Sequence, residues 1–333
     1  MTAELALRTT GLIRSFNGRR VVDDVDLAVE RGEIMGFLGP NGAGKTTVMN
    51  MVMGLLPPHA GEIELLGIRG GAARRDIRLR VGYLQEKPRI YPEMTVRRYL
   101  GLFARLYGVP APDARVAKVL DRVGLADAAD RPLGGFSRGM QQRACLGRVM
   151  LHEPELLILD EPTLGLDPTG VAEMRDIFRE MRAAGVTLLF SSHQLAEMEK
   201  ICDRVAFMKD GRLIAAGRPA DLVPAFAAAG RLEVETHEPI AAALSAIRKL
   251  PIVRDARETG LNRAKIELEP ATFEGRNARA LLARELINLG LTVLLVGMDE
   301  PSLEDVFLAL AHTPGTKKLG AQSWISATPE DVV

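Results

Sequence analysis

The sequence lacks a net charge and a set of cysteines that could pair with one another. Its 43 basic residues balance 43 acidic ones, so no overall field recruits nucleic acid or an anionic membrane. The two cysteines, Cys145 and Cys202, stand far apart without His or Cys neighbours at metal-ligand spacing. This favours a reducing compartment over a disulfide framework. We expect both cysteines to act as small apolar residues. The balanced charge leaves room for a local charged patch and by itself identifies no partner; we expect no nucleic-acid partner.

Long hydrophobic runs are also missing. The longest apolar stretch, LINLGLTVLLVGM at 286–298, is too short to cross a bilayer. The N-terminus shows no charged start followed by an apolar segment. We therefore expect a soluble, cytosolic protein. Its 333 residues, 47% of them hydrophobic, are enough for one large domain and one small one.

Strand patterns dominate the first two thirds of the chain. From Leu5 to Val29 the apolar residues alternate on both sides of the turn NGRR, which predicts an antiparallel pair of strands. Later apolar runs predict further strands, several of them covered on both faces: EIMGFLG (33–39), GEIELLG (61–67), RVGYLQ (80–85), LLILDE (156–161), TLLFSSH (187–193), RVAFMKDG (204–211) and RLIAAG (212–217). Between Thr95 and Leu151 helical spacing predicts a helical subdomain, at about 86–152, inserted into an α/β body.

The order of elements begins again after residue 222. Strand LEVET, a helix around 239–249, strands near 251–255 and at AKIELE, a helix over 277–289, strand LTVLLVG and helix SLEDVFLALA follow one another. This β-α-β-β-α-β order predicts a small α+β domain of ferredoxin-like type over 223–312. The tail Thr313–Val333, which includes Trp324, has few apolar residues, so we expect it to be disordered.

The stretch LGPNGAGKTT, Leu38 to Thr47, lies between a predicted buried strand and a predicted helix. It fits the phosphate-loop pattern G-x-x-x-x-G-K-[ST]. Glycines let the backbone turn tightly and aim successive N–H groups at phosphate oxygens, at the N-terminus of a helix. We expect ATP binding by Gly39, Pro40, Asn41, Gly42, Ala43, Gly44, Lys45, Thr46 and Thr47. In this pattern the lysine reaches the β- and γ-phosphates, and the Thr46 hydroxyl binds Mg²⁺.

A carboxylate must complete the metal site. LLILDE offers Asp160 at the end of an apolar strand, where side chains emerge at the carboxyl edge of a parallel sheet. The next residue, Glu161, can polarise an attacking water. Two adjacent carboxylates before Pro-Thr also fit a turn that caps the following segment, but the phosphate loop favours the metal site.

One further string, FSRGMQQR at 136–143, resembles the signature sequence of ABC transporter ATPases. The resemblance covers residues 1 to about 222 and gives roles to other positions. It implies that Phe16 stacks on adenine, that Gln85 in GYLQE is the glutamine that binds the metal, and that His193 in FSSHQ is the switch histidine. It also implies that Ser137 and Gly139 face ATP, as does Asp167 in LGLDP. Each of these residues alone has a simpler interpretation as core, surface or loop.

The sequence also departs from the family pattern. Phe136, Arg138 and Met140 replace letters of the common signature L-S-G-G-Q, and Leu164-Gly165 stands where Ser-Ala is frequent. Ser137, Gly139 and Asp167 are retained. The resemblance implies the P-loop NTPase fold of ABC ATPases, with a RecA-like core, an antiparallel β subdomain and a helical subdomain over 1–222.

The chain carries one phosphate loop and one signature. In the resembling family a signature covers the nucleotide held by the opposite copy, so the resemblance implies a homodimer that holds two ATP molecules with Mg²⁺. It assigns catalysis to Glu161, which orients the attacking water, to His193, which donates to a γ-phosphate oxygen, and to Lys45 and Gln85. Hydrolysis would open the dimer.

The segment EKPRIYPEMTVRRYL, residues 86–100, is broken by prolines and partly apolar. In the family this segment receives the permease, although an ordinary surface loop has the same composition. The ending EPSLEDVFLAL (300–310) and the C-terminal domain resemble the ATPases of ABC-2 type exporters with separate permeases, which implies a peripheral position on the cytoplasmic face of the membrane. Two alternatives stay open: a non-transport ABC ATPase and an ATP-gated regulatory module. Three roles stay open for the C-terminal domain: it forms a dimer contact, it lowers the ATPase activity, or it only covers the surface of the ATPase domain.

Overall fold

The computed structural model describes residues 4–70, 75–226, 231–269, 278–298 and 302–312. The chain divides into two compact units, the first formed by Met1–Leu222 with the residues from Phe307 onward, the second by Val223–Val306. The expected disorder of 313–333 concerns residues outside the described ranges. Among the described residues, no helix combines the length and the apolar character that a membrane crossing requires.

A twisted antiparallel sheet begins the first unit. The predicted pair is confirmed as β1 (Leu5–Phe16) and β2 (Arg19–Glu30), joined by Asn17 and Gly18 with φ angles of 48° and 78°. Two positive φ angles match the type I′ turn that fits the twist of a hairpin. The strands β4 (Ala60–Leu65) and β5 (Ile68–Arg69) complete the order β2-β1-β4-β5.

A second sheet of six strands forms the buried centre of the first unit, in the order β10-β9-β3-β8-β7-β6. All neighbours run parallel except β9 and β10. Every residue of β3, β7 and β8 is buried, as their unbroken apolar runs predict. The strands are β3 (Ile34–Leu38), β6 (Val81–Leu84), β7 (Leu156–Leu159), β8 (Thr187–Ser192), β9 (Arg204–Lys209) and β10 (Arg212–Gly217).

Helices connect these strands. The predicted helical subdomain is present, and its first helix begins at the N-cap Thr95, whose hydroxyl accepts a hydrogen bond from the Arg98 N–H at 3.3 Å. The helices of the first unit are α1 (Lys45–Val52), α2 (Arg75–Arg78), α3 (Val96–Leu106), α4 (Pro112–Arg122), α5 (Arg138–Met150), α6 (Pro168–Ala183) and α7 (Leu195–Ile201). The helix α8 (Pro219–Phe226) begins in the first unit and ends in the second.

The second unit has the predicted β-α-β-β-α-β order, with strands in the antiparallel order β12-β13-β11-β14. Its core includes Leu232, Ile266 and Leu286. Its elements are β11 (Arg231–Thr236), α9 (Leu244–Ile247), β12 (Val253–Gly260), β13 (Arg263–Leu268), α10 (Ala278–Asn288) and β14 (Val293–Met298). The helix α11 (Leu303–His312) begins in the second unit and ends in residues of the first.

Two boundaries in the second unit differ from the prediction. The helix expected over 239–249 is a 3₁₀ turn, Ile240–Ala243, continued by the four-residue α9; Pro239 precedes it and Pro251 follows it, and proline interrupts helices. The strand expected near 251–255 extends to Gly260, because its polar half pairs with β13 at Glu258–Ala264. Pairing between strands, rather than apolar character, sets its length.

Candidate functional site

The glycine loop joins β3 to α1. Gly39, Gly42 and Gly44 have φ angles of 151°, 83° and 107°, which other residues rarely adopt. A Cβ at Gly39 would collide with the Met208 carbonyl oxygen, and one at Gly44 would lie 2.6 Å from the Val21 carbonyl oxygen. Gly42 has nothing within 4 Å in the direction of a Cβ. The loop therefore packs closely against strands of both sheets, β9 at Gly39 and β2 at Gly44, and has open space beside Gly42.

Lys45, the first residue of α1, is 7% exposed. Its ammonium group donates hydrogen bonds to the carbonyl oxygens of Gly39 at 2.6 Å and Pro40 at 3.2 Å. Burial lowers the pKa of Lys45, and the carboxylates of Glu161, Asp160 and Glu86 act in the opposite direction. A cation thus lies directly beneath the loop, where it can be transferred from carbonyl oxygens to a phosphate.

A cavity of about 300 Å³ opens over this loop. Predicted ATP-binding, metal-binding and catalytic residues meet around it, together with residues from the ends of other strands. The lining consists of Val21, Asn41, Gly42, Ala43, Gly44, Lys45, Thr46, Thr47, Glu86, Asp160, Glu161, Leu164 and His193.

Asp160 lies one residue beyond the end of β7 and is held on both carboxylate oxygens. The Thr46 hydroxyl donates to Oδ2 at 2.7 Å, and the Ser191 hydroxyl donates to Oδ1 at 2.6 Å. In the described ranges no group of three or more His, Cys, Asp or Glu residues could hold a metal by itself. A hydroxyl and a carboxylate are oxygen ligands that suit Mg²⁺, which binds few protein groups and completes its coordination with water and phosphate. The pair therefore fits Mg²⁺ bound together with a nucleotide.

Glu161 follows in a left-handed backbone conformation, with φ at 49°. Its N–H donates to the Ser191 hydroxyl at 2.9 Å, and its Oε2 lies 2.9 Å from Nδ1 of His193. This contact is a hydrogen bond in which Nδ1 donates when it carries a proton and the carboxylate is ionised. Glu161 is 7% exposed, and its side chain faces the cavity.

Several predicted residues do not line the cavity, among them Gly39 and Pro40 at the start of the glycine loop, Gln85 and Phe16. Gln85 is exposed just after β6, whereas the next residue, Glu86, lines the cavity. Phe16 is at the end of β1 and 42% exposed, with the Arg14 guanidinium 5.0 Å from its ring centroid. The exposed part of its ring can stack on a planar group. Sequence reasoning missed Glu86 and Ser191: neither belongs to a pattern, and only pairing between distant strands brings them to the site.

The signature residues also lie outside this cavity. Ser137 is the N-cap of α5, with its hydroxyl accepting from the Met140 N–H at 3.3 Å, and Gly139 is in the first turn. Asp167 is the N-cap of α6 and accepts from the Gly170 N–H at 3.1 Å. The position of a Cβ at Gly165 would be 2.6 Å from Cζ of Arg138. The signature helix therefore packs against the loop that precedes Asp167.

Several known proteins resemble this chain. The protein family described as "ABC transporter" matches residues 22–164. The linearmycin resistance ATP-binding protein LnrL of Bacillus subtilis is 31% identical over 306 residues, 91% of this chain and 97% of the relative. The Nod factor export ATP-binding protein I of Burkholderia pseudomallei is 35% identical over 299 residues, 89% and 94% of the two chains. A solved ATP-binding subunit of an ABC transporter has a TM-score of 0.61 at 33% identity, covering 66% of this chain and 93% of that one.

Proposed function

This chain belongs to the ABC transporter family of ATP-binding proteins, and we propose that it drives an exporter whose membrane permease is a separate chain. Members of the family bind and hydrolyse ATP and work with permease subunits, and the predicted P-loop ABC ATPase fold is confirmed by the solved relatives. The observation that carries the proposal is the cavity where Lys45, Asp160 and Glu161 meet. Relatives named for linearmycin resistance and Nod factor export support export as the direction of transport.

We assign ATP binding to the glycine loop. Its N–H groups at the N-terminus of α1 would cradle the phosphates, with Lys45 moving from the carbonyl oxygens of Gly39 and Pro40 to the β- and γ-phosphates. Thr46 and Asp160 would hold Mg²⁺, which neutralises part of the charge of the triphosphate when bound. Phe16 would stack on adenine from the end of β1.

Glu161 would orient the attacking water and accept its proton. Where Nδ1 of His193 donates to Glu161, its Nε2 can donate to a γ-phosphate oxygen only when the ring carries both protons. Glu161 and His193 would therefore act as a pair, one towards the water and the other towards the phosphate.

The positions of Ser137, Gly139 and Asp167 outside the cavity support a dimer. The first turn of α5 has unpaired N–H groups and a positive dipole end that suit a γ-phosphate, and its own chain's cavity does not include it. We propose that a second copy presents its nucleotide to this turn. Residues 1–222 would form this ATPase domain, and 223–312 an accessory domain of the ABC-2 type exporters.

The contribution of Glu86 can be measured against its neighbour. Glu86→Ala is expected to lower the ATP hydrolysis rate by about 10-fold, because it removes a carboxylate from the cavity around Lys45. Gln85→Ala, the matched control, should stay within about twofold if the exposed amide does not bind the metal. Phosphate release at saturating ATP gives both rates. A larger effect at Gln85 than at Glu86 would support the role of Gln85 predicted from the sequence and contradict the one proposed for Glu86.

The permease would dock on residues 86–100 at the cytoplasmic face of the membrane. Tyr91 is the best residue to change there, because its side chain is 50% exposed. Changes at two other residues would have additional effects, since Glu86 lines the cavity and Arg97 pairs with Asp130 at 2.9 Å. Tyr91 lies between Pro88 and Pro92, and an exposed aromatic residue is a typical anchor of a protein–protein interface.

Tyr91→Ala is therefore expected to weaken binding to the membrane permease by about 10-fold or more, with the ATPase rate of the isolated subunit unchanged. Co-purification of the permease with tagged subunit measures this. Leu261→Ala is the control, because Leu261 is also exposed, at 73%, and belongs to the second unit. Equal recovery of the permease with Tyr91→Ala and wild type would count against docking at this segment.

A further inference from the structure

Ser191 lies in β8, which ends one residue before His193, and its side chain is fully buried. Its hydroxyl donates to Oδ1 of Asp160 at 2.6 Å and accepts from the Glu161 N–H at 2.9 Å. The hydroxyl thus donates its one proton to Asp160 and uses a lone pair to accept the N–H of Glu161. The neighbouring hydroxyl of Ser192 bonds elsewhere, accepting from the Gln194 N–H at 3.0 Å.

The two residues that Ser191 contacts have different tasks in the proposed function. Asp160 also accepts from Thr46 and belongs to the metal side of the cavity, whereas Glu161 belongs to the water side. Hydrogen bonds connect Thr46, Asp160, Ser191, the Glu161 backbone and, through the Glu161 carboxylate, His193. Ser191 is the member of this chain of contacts that links the two sides and does not itself line the cavity.

The backbone of Glu161 gives Ser191 a second role. A glutamate rarely adopts a φ of 49°, and such conformations persist only where surrounding contacts fix them. The Ser191 hydroxyl holds the N–H of Glu161, and His193, two residues further along the chain, holds its carboxylate. The end of β8 therefore restrains Glu161 at both its main chain and its side chain.

We propose that Ser191 is a positioning residue for ATP hydrolysis, which fixes the Asp160 carboxylate and the Glu161 backbone relative to each other. It acts through these two residues and does not touch the nucleotide. This inference rests on the proposed function, in which Asp160 holds Mg²⁺ and Glu161 orients water. Partners that orient metal ligands from behind typically contribute 10- to 100-fold to metal affinity or activity.

The test compares Ser191→Ala with Thr187→Val. Thr187 is a buried hydroxyl in the same strand that accepts one backbone N–H, from Gly32 at 2.9 Å, away from the cavity. The probe is adenylyl imidodiphosphate, whose dissociation constant is measured with Mg²⁺ and with EDTA. Ser191→Ala should lower the gain in affinity from Mg²⁺ by about 10-fold and kcat by about 10- to 100-fold, while affinity in EDTA stays unchanged. Thr187→Val should behave as wild type, and Ser191→Thr should recover part of the loss.

Three results would overturn the role of Ser191. These are wild-type values for Ser191→Ala, equal losses of affinity with Mg²⁺ and with EDTA, and the same losses for Thr187→Val. If Ser191→Ala does not fold, Ser191→Cys, which keeps the volume and weakens both hydrogen bonds, is expected to show the same selective loss. Wild-type protein that neither binds nor hydrolyses ATP would instead overturn the proposed function, and this role with it.

Discussion

Glu161→Gln is expected to lower the rate of ATP hydrolysis by roughly 10²- to 10⁴-fold, the usual contribution of a positioned base, while ATP binding is retained. The amide has the size of the carboxylate but cannot accept a proton from water. The position of Glu161 at the cavity and its contact with Nδ1 of His193 both depend on the length of the side chain, and glutamine has the same length. Phosphate release measures hydrolysis, and equilibrium binding of a fluorescent ATP analogue measures affinity.

Glu153→Gln provides the matched control for this change. Glu153 also has a left-handed backbone, with φ at 53°, but it is exposed and pairs with Arg115 at 2.8 Å outside the cavity. The same substitution there should leave hydrolysis unchanged, since an exposed ion pair contributes little. If Glu161→Gln kept more than half of the wild-type rate, Glu161 would not be the base, and the assignment of the water side of the cavity would be wrong.

The sequence predicts the parts of this site that are local in the chain. The phosphate loop could be read from Gly39 to Thr46 because its glycines, lysine and threonine are consecutive, and because a fully buried strand precedes them. Asp160 could be predicted as well, since a short apolar run that ends in a carboxylate marks the carboxyl edge of a parallel sheet. The predicted run LLILDE places both carboxylates correctly, although β7 itself ends at Leu159.

Contacts between distant strands could not be predicted. Gln85 and Glu86 differ by one position after β6, and a shift of one residue reverses the direction of a side chain from an extended strand. The structure places Glu86 at the cavity. Ser191 had no signal of its own in the sequence, because serine is common at strand ends. Its importance depends on the parallel pairing of β7 and β8, in which Leu159 is opposite Phe190 and Ser191 follows next to the carboxylates.

Local propensity explains the less accurate boundaries of the second unit. The apolar and small residues at 239–249 suggest a regular helix, but Pro239 and Pro251 leave only a 3₁₀ turn and one turn of α-helix between them. Conversely, the polar residues at 256–260 give little strand signal, yet they pair with β13. In both places a backbone constraint outweighed the hydrophobic pattern, which is the main basis of prediction from a single sequence.

The variants Lys45→Ala and Gly139→Asp should each abolish ATP hydrolysis when present alone. Hydrolysis should partly return when the two variant proteins are mixed. Lys45→Ala removes the cation beneath the phosphate loop. Gly139→Asp adds a negative charge where the partner's γ-phosphate would lie. The Asp should not unfold the chain, because a Cβ there lies 3.4 Å from Leu166 Cδ2, an ordinary contact, and acidic residues are favourable in the first turn of a helix. Equal mixing gives half mixed dimers, each with one intact site, so up to about a quarter of the wild-type rate should return.

The control for this mixture pairs Lys45→Ala with Glu161→Gln. Both changes damage the side of the site that carries the phosphate loop and leave the signature intact, so each mixed dimer has two defective sites and no activity should return. Phosphate release from the two mixtures is measured at equal total protein and with ATP present. It distinguishes a site completed within one chain from a site completed by a second copy. A site completed within one chain predicts no recovery in either mixture, whereas recovery in the first alone requires that one copy's α5 tip completes the other's cavity. Because Ser137 and Gly139 lie outside the cavity of their own chain, we expect recovery in the first alone.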